Sequence, residues 1–288
     1  DICLNFNSNS LLYADDLKLY KKIDSMYDIN TLTNDLICLN DWCKLNHMSL
    51  NIKKCKAMCF SRKSRPSVPL YLLENTPLDI VSNAKDLGIY LDTKLSFVSH
   101  CEYVVSRGRK LLGCLKRWTV NFSNIRTILI LYYSLVRSIL EFNCVNWSPF
   151  YITHISRIEA VQVKLLKYVK YKLCGDGIVL ADTDLVASYL SVHTLENRRK
   201  YHKLCFLFKL LNGLIEAPIL LALVGLNVSI RKVRTPRLFF IPVHKTNYAL
   251  HSPLNSVLMI ANECNTLEFF GISLNAFKKE CRKLLLLC

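Results

Sequence analysis

The 288-residue chain is short of acidic side chains, of long apolar runs and of paired metal-ligand spacings. Asp and Glu number 22 against 38 Lys and Arg, a formal charge of +16 at pH 7. That imbalance favours a polyanionic partner, nucleic acid first and an anionic membrane surface second. No stretch reads as a membrane span. Thr127 to Val136 is apolar but short, Lys209, Asn212, Glu216 and Pro218 interrupt Leu204 to Leu226, and Leu284 to Leu287 is shorter still. The second of these predicts a buried helix ending near Gly213. Cysteine is abundant, at thirteen, yet the number is odd and no secretory leader opens the chain. The closest pairs, Cys38 with Cys43 and Cys55 with Cys59, have no second pair or nearby histidines at zinc-finger spacing. Free buried thiols in an intracellular, non-secreted protein are therefore expected. There is no internal repeat and no low-complexity segment. A hydrophobic content of 51% is enough for a substantial core in two or three compact units.

Against that background one decapeptide stands out, Leu11 to Tyr20, in which Asp15 and Asp16 lie between two short apolar runs. The flanking Leu and Tyr residues suit a β-hairpin carrying both acids at its tip. Neighbouring carboxylates repel unless a divalent cation lies between them, so the hairpin is a candidate metal site. The plain alternative is a solvated turn, or a helix N-cap at Asp15. Downstream, Ile29, Leu32, Leu36, Leu39 and Trp42 fall at helical spacing, with Asp28 as cap or dipole partner. Ser61 to Pro69 reads as an exposed loop. Leu70 to Leu73, Leu78 to Val81 and Leu87 to Leu91 read as a short β-meander whose first turn is Glu74-Asn75-Thr76-Pro77. From Ser96 the pattern becomes helical. Cys101, Val104, Val105, Gly108, Leu111, Leu112 and Leu115 form one apolar stripe that leaves Arg107, Arg109, Lys110 and Lys116 mostly off it. Ile155, Ile158, Val161, Leu165 and Val169 form another, with Arg157, Lys164, Lys167 and Lys170 outside it. Gly175-Asp176-Gly177 marks a boundary, and a further helical unit runs from about Leu195 to Leu214. Beyond Gly225 only short apolar runs and a basic cluster, Arg231, Lys232, Arg234 and Arg237, are legible.

Tyr13-Ala14-Asp15-Asp16 resembles the catalytic hairpin of reverse transcriptases, and the motifs that follow are similar, in order, to a non-LTR (LINE-type) retrotransposon polymerase. Leu50 to Phe60 resembles the family's helix-then-strand motif. Lys85 to Asp92 with Leu95-Ser96-Phe97 is similar to its primer-grip strands and thumb entry. Leu131 to Glu141, Trp147-Ser148-Pro149 and Ile158 to Gln162 resemble the helical region after the palm.

The resemblance implies an α+β fold: a partial palm over residues 1–92, a thumb-like helical region over 93–174 and a C-terminal helical region over 175–288. It also implies that Asp15 and Asp16 help hold Mg²⁺ (or Mn²⁺) and that Lys54 lies near the departing phosphates. Tyr13, Leu87, Gly88 and Ile89 would lie against the primer. Arg107, Arg109, Lys110, Lys116, Arg157, Lys164 and Lys167 would track an RNA template or RNA–DNA duplex, with deoxynucleotides as substrates and no membrane partner. On the residues alone, Lys53, Lys54, Lys56, Arg62, Lys63 and Arg65 also read as a solvated basic face, and Gly88 as a β-bulge. A non-catalytic basic nucleic-acid-binding protein and a helical interaction module remain the alternatives. In the family, fingers, a strand with a first catalytic Asp and a nucleotide-checking segment precede the hairpin; the residues before Asp15 are too few for them, so the chain is read as a C-terminal part, inactive alone. Without that strand the hairpin is expected either to pair with Cys55 to Ser61 or to stand apart with exposed Leu and Tyr side chains.

Overall fold

The computed structural model describes residues 2–63, 69–175, 177–227 and 237–286. Arg65 and, in the C-terminal basic cluster, Arg231, Lys232 and Arg234 lie outside them. The fold is α+β, and its contacts divide the chain into two compact units, Asp1–Ser96 and Phe97–Cys288.

The first unit opens with a 3₁₀ turn, Ile2–Asn5, followed by β1 (Asn9–Tyr13), β2 (Asp16–Tyr20) and helix α1 (Met26–Leu45). Asp28 starts the helix as the sequence predicts: its carboxylate accepts the backbone N–H of Ser25 at 2.9 Å and that of Asp24 at 3.1 Å. The stripe that α1 buries differs from the predicted one. Thr31, Asp35, Leu39 and Cys43 are buried, while Ile29, Leu32, Leu36 and Trp42 are only half-buried. Leu39 and Cys43 pack on Ile2, with Phe6, Leu17, Trp42 and Leu50 around them. Four short strand pieces and one longer hairpin follow α1: β3 (Lys56–Ala57), β4 (Leu72–Leu73), β5 (Thr76–Pro77), β6 (Asp79–Ile80), and then β7 (Asn83–Asp86) with β8 (Ile89–Asp92). They do not form the expected meander. β4 and β5 make one hairpin, β7 and β8 another, and β3 pairs in parallel with β6. Two stretches therefore need correction. Thr76 and Pro77 are strand, and only Glu74 and Asn75, at φ 48° and 62°, make the first turn. Leu87 to Leu91 is not one strand either, because Leu87 (φ 42°) and Gly88 (φ 89°) form the two-residue turn between β7 and β8. Such a turn needs positive φ at both central residues, which Gly supplies without strain. Gly88 is thus neither in a strand nor in a bulge.

The second unit is helical almost throughout: α2 (Val98–Trp118), α3 (Ile125–Tyr132), α4 (Ser138–Glu141), α5 (Cys144–Trp147), α6 (Ile152–Gly175), α7 (Thr183–Tyr189), α8 (Leu195–Leu211), α9 (Pro218–Ala222), the paired β9 (Gly225–Leu226) and β10 (Phe239–Phe240), α10 (Asn247–Leu250), α11 (Pro253–Glu263) and α12 (Leu274–Leu286). Tyr133–Arg137, a π-helical turn, joins α3 to α4. No helix among the described residues is long and apolar enough to cross a membrane. The stripe predicted for α2 is the one it buries, except that Leu111 is half-buried and His100 joins it. Gly108 lets α2 approach its neighbours closely: a Cβ there would lie 3.0 Å from Leu140 and 3.5 Å from Val161. On α6, Ile158, Val161, Leu165 and Val169 are fully buried. Gln162 is buried beside them, accepting from the Tyr132 hydroxyl at 3.1 Å and donating to the His193 carbonyl at 2.9 Å. α8 ends just before Gly213, as expected. It packs against α11 and α12, where Phe208 stacks on Phe277 with centroids 4.3 Å apart and Phe269 and Phe239 complete the aromatic core. The sequence reading expects a helical C-terminal region but places no individual helix where α11 and α12 lie.

Two polar centres lie inside this unit. The Glu141 carboxylate accepts from Arg198 through both Nε and Nη2, and Arg137 and His202 approach it at 3.9 and 3.6 Å. Burial works against its ionisation, but the hydrogen bonds from His202 and Arg198 and the Arg137 charge outweigh it and hold the carboxyl at about 2. Lys203, only 5% exposed, donates from Nζ to Ser256 Oγ at 2.6 Å. Burial pushes its ammonium down to about 8. All twelve described cysteines are free, six of them buried.

Candidate active-site hairpin and nucleic-acid interface

β1 and β2 pair antiparallel with Tyr13 opposite Asp16, so Ala14 and Asp15 alone make the turn. Ala14 carries the left-handed backbone conformation at φ 53°. A residue with a Cβ pays of order 1 kcal/mol for this conformation. Asp15 is therefore in the turn, Asp16 at the first position of β2, and both are exposed. The hairpin is a sheet of two strands and does not pair with β3. Of the two expected outcomes it takes the second: Leu11, Leu12, Tyr13 and Tyr20 are all at least half exposed.

Besides the packing of Leu17 of β2 on the Ile2–Leu39–Cys43 cluster, two polar contacts, neither visible in the sequence, hold this exposed hairpin. Asp35 of α1, with no exposed surface, accepts the backbone N–H groups of Asn7 at 3.0 Å and Ser8 at 2.7 Å, just ahead of β1. A buried carboxylate with two backbone donors is a firm anchor, because releasing either partner leaves charge or N–H unsatisfied. Lys18 of β2 pairs with Asp86 at 2.6 Å. Asp86 is the residue before the Leu87–Gly88 turn, so the middle of β2 is bridged to the β7–β8 hairpin next to that turn. At the turn Leu87 is exposed, whereas the Ile89 side chain is buried and does not face outward. Lys54 ends a 3₁₀ turn, Ile52–Lys54, immediately before β3 and is exposed, as are Lys53 and Lys56.

As a donor set, Asp15 and Asp16 offer the oxygens that a hard cation such as Mg²⁺ prefers. Among the described residues no third His, Cys, Asp or Glu joins them. Two exposed carboxylates do not make a two-metal site.

The helical unit gathers most of the predicted basic residues. α2 and α6 run side by side in the same direction: Arg157 meets Glu102 at 3.6 Å near their starts, and the Tyr168 hydroxyl donates to the Thr119 carbonyl at 3.0 Å near their ends. Between the early turns lies an open cleft of about 450 Å³, where Arg109, Lys110 and Arg157 converge over Cys101, Val105 and His154. Further along, Lys116 and Lys164 face each other. Burial and then the Lys164 charge lower the Lys116 pKa, and Lys116 Nζ lies 5.4 Å from the Tyr168 ring centre. Lys167 follows Lys164 on the exposed side of α6. Arg107 stands apart, donating to the Tyr103 hydroxyl at 2.7 Å.

The chain is similar to two known proteins. Over 175 residues it is 26% identical to the "Probable RNA-directed DNA polymerase from transposon X-element" of Drosophila melanogaster, covering 59% of the chain and 19% of that protein. Over 162 residues it is 28% identical to the "Probable RNA-directed DNA polymerase from transposon BS" of the same organism, covering 54% and 18%. These matches are consistent with a LINE-type reverse-transcriptase region. The matched part spans under a fifth of each relative's length. No protein-family model and no solved structure matches the chain.

Proposed function

We propose that this chain is a segment of an RNA-directed DNA polymerase of a non-LTR retrotransposon, with a palm-like part over residues 1–92, a thumb-like part over 93–174 and a helical C-terminal part over 175–288. The observation that carries the reading is the tight hairpin that displays Asp15 and Asp16 at an exposed tip, in a chain similar to two transposon polymerases. In the assembled polymerase Asp15 and Asp16, with a further ligand, would help hold Mg²⁺, which would supply Lewis-acid chemistry for phosphoryl transfer. Tyr13 and the Leu87–Gly88 turn would lie along the primer, Lys54 near the departing phosphates. The basic residues of α2 and α6 would hold the backbone of an RNA template or RNA–DNA duplex inside the cell, in a salt-sensitive and largely sequence-independent way.

Alone, the chain is expected to be inactive, because two carboxylates bind metal weakly and leave an incoming deoxynucleotide unpositioned. Incorporation on a primed RNA template with Mg²⁺ or Mn²⁺ tests this. No template-dependent product is expected, and product that disappears in Asp15→Ala would refute the inactivity. The convergence of Arg109, Lys110 and Arg157 favours a second reading in which nucleic-acid binding outlasts catalysis. Binding that ignores both salt and neutralisation of these residues would instead favour a helical interaction module.

A further inference from the structure

The groove between α2 and α6 has two features that phosphate contacts alone do not explain. Its cleft is about 450 Å³, within the ~300–1,000 Å³ of small-molecule pockets, and therefore roomy enough for a nucleobase. The floor is apolar, from Cys101 and Val105, with His154 beside them. Around the rim three cations face one carboxylate, Glu102. At the far end Tyr171 is 77% exposed. It follows Lys164 and Lys167 at intervals of three and four residues, which puts all three on one face of α6. An apolar floor ringed by cations, then a row of lysines, then a bare aromatic ring matches the sequence of contacts made to a strand whose bases are free: phosphate, base, phosphate, base. In a duplex each base is stacked and covered by its partner, so none can enter the cleft.

Resting on the nucleic-acid reading of this groove given above, we propose that α2 and α6 bind an unpaired polynucleotide strand, with one base in the Cys101–Val105–His154 cleft, adjoining phosphates on Arg109 and Arg157, and another base stacked on Tyr171. The groove selects single strands over duplexes by access to the bases.

The test is fluorescence anisotropy on the full chain with three labelled 20-nucleotide probes: a mixed-sequence single-stranded RNA, an abasic strand of equal charge, and the same RNA annealed to complementary DNA. Each is titrated at several salt concentrations. The single strand should bind roughly tenfold more tightly than the abasic strand, as expected for one or two base–aromatic contacts. Tyr171→Ala, and Ser106→Ile at the exposed rim of the cleft, should each reduce that preference several-fold without altering the salt slope. Equal affinity for the abasic and base-bearing strands, unchanged in both variants, would overturn base recognition while leaving the phosphate-binding role standing. An absence of salt-sensitive binding to any probe would remove the nucleic-acid reading, and this proposal with it.

Discussion

Replacing Lys203 by Met should make the helical unit more stable at neutral pH, although it deletes a hydrogen bond. The lysine is 5% exposed, and burial depresses its pKa from 10.5 to about 8. Each pKa unit corresponds to about 1.36 kcal/mol, so the native state carries a cost of about 3 kcal/mol for holding the ammonium below pH 8. Met fills a similar space without charge, and loss of the 2.6 Å bond to Ser256 Oγ returns about 1 kcal/mol of that gain. The expected net is about 2 kcal/mol in favour of the variant at pH 7. The sign then changes with pH. Below pH 8 both folded and unfolded chains hold the proton and the cost is complete. Between 8 and 10.5 the folded lysine has lost its proton while the unfolded one keeps it, so wild-type recovers stability relative to the variant as pH rises. Above 10.5 only the lost hydrogen bond remains, and the variant becomes the weaker by about 1 kcal/mol. Urea unfolding of both proteins from pH 7 to 10.5, followed by circular dichroism, measures this difference directly. Taking the difference removes the contribution of thiols remote from Lys203, leaving Cys144, whose charge couples to it. A variant less stable at pH 7, or an advantage that stays constant to pH 10.5, would refute the argument.

Glu141→Gln should behave in the opposite sense. A carboxyl held at about 2 instead of 4.5 contributes about 3 kcal/mol above pH 4.5 that disappears as pH falls towards 2, so the variant's deficit at pH 7 should vanish over that window in acid unfolding. Gly108→Val should cost about 1–3 kcal/mol by overpacking Leu140, and Gly108→Ala clearly less because Ala regains about 1 kcal/mol of helix propensity; thermal melts rank the two. Asp35→Ala should speed hydrogen exchange at the Asn7 and Ser8 amides far more than in the middle of α1, and equal protection in both proteins would show that the anchor is dispensable.

The parts of the fold legible in the sequence are those that depend on neighbours a few residues apart. The α2 stripe follows from a 3.6-residue period, and the Tyr13–Asp16 hairpin from two apolar runs around a polar pair. What the sequence hid depends on distant partners. Asp35, on a helix of mixed apolar and polar residues, reads as a solvated acid until the chain ahead of β1 crosses it, and nothing local distinguishes Lys203 from the half-buried Lys200 and Lys209 of the same helix. The turn at Leu87–Gly88 was hidden differently. Leu87, Ile89 and Leu91 alternate as a strand should, and that period masked the need for positive φ that Gly88 satisfies. Aromatic residues spread over more than sixty positions from Phe208 to Phe277 build the last core, so α11 and α12 gave only a weak signal beforehand.

The hairpin's exposure has a practical consequence for anyone who alters it. Asp15 and Asp16 are exposed, so alanine at either position removes a carboxylate and leaves architecture almost untouched. Such variants are clean genetic probes: a phenotype from them reports on what the acids do, whereas a phenotype from Asp35→Ala or Lys18→Ala reports on where the acids are held.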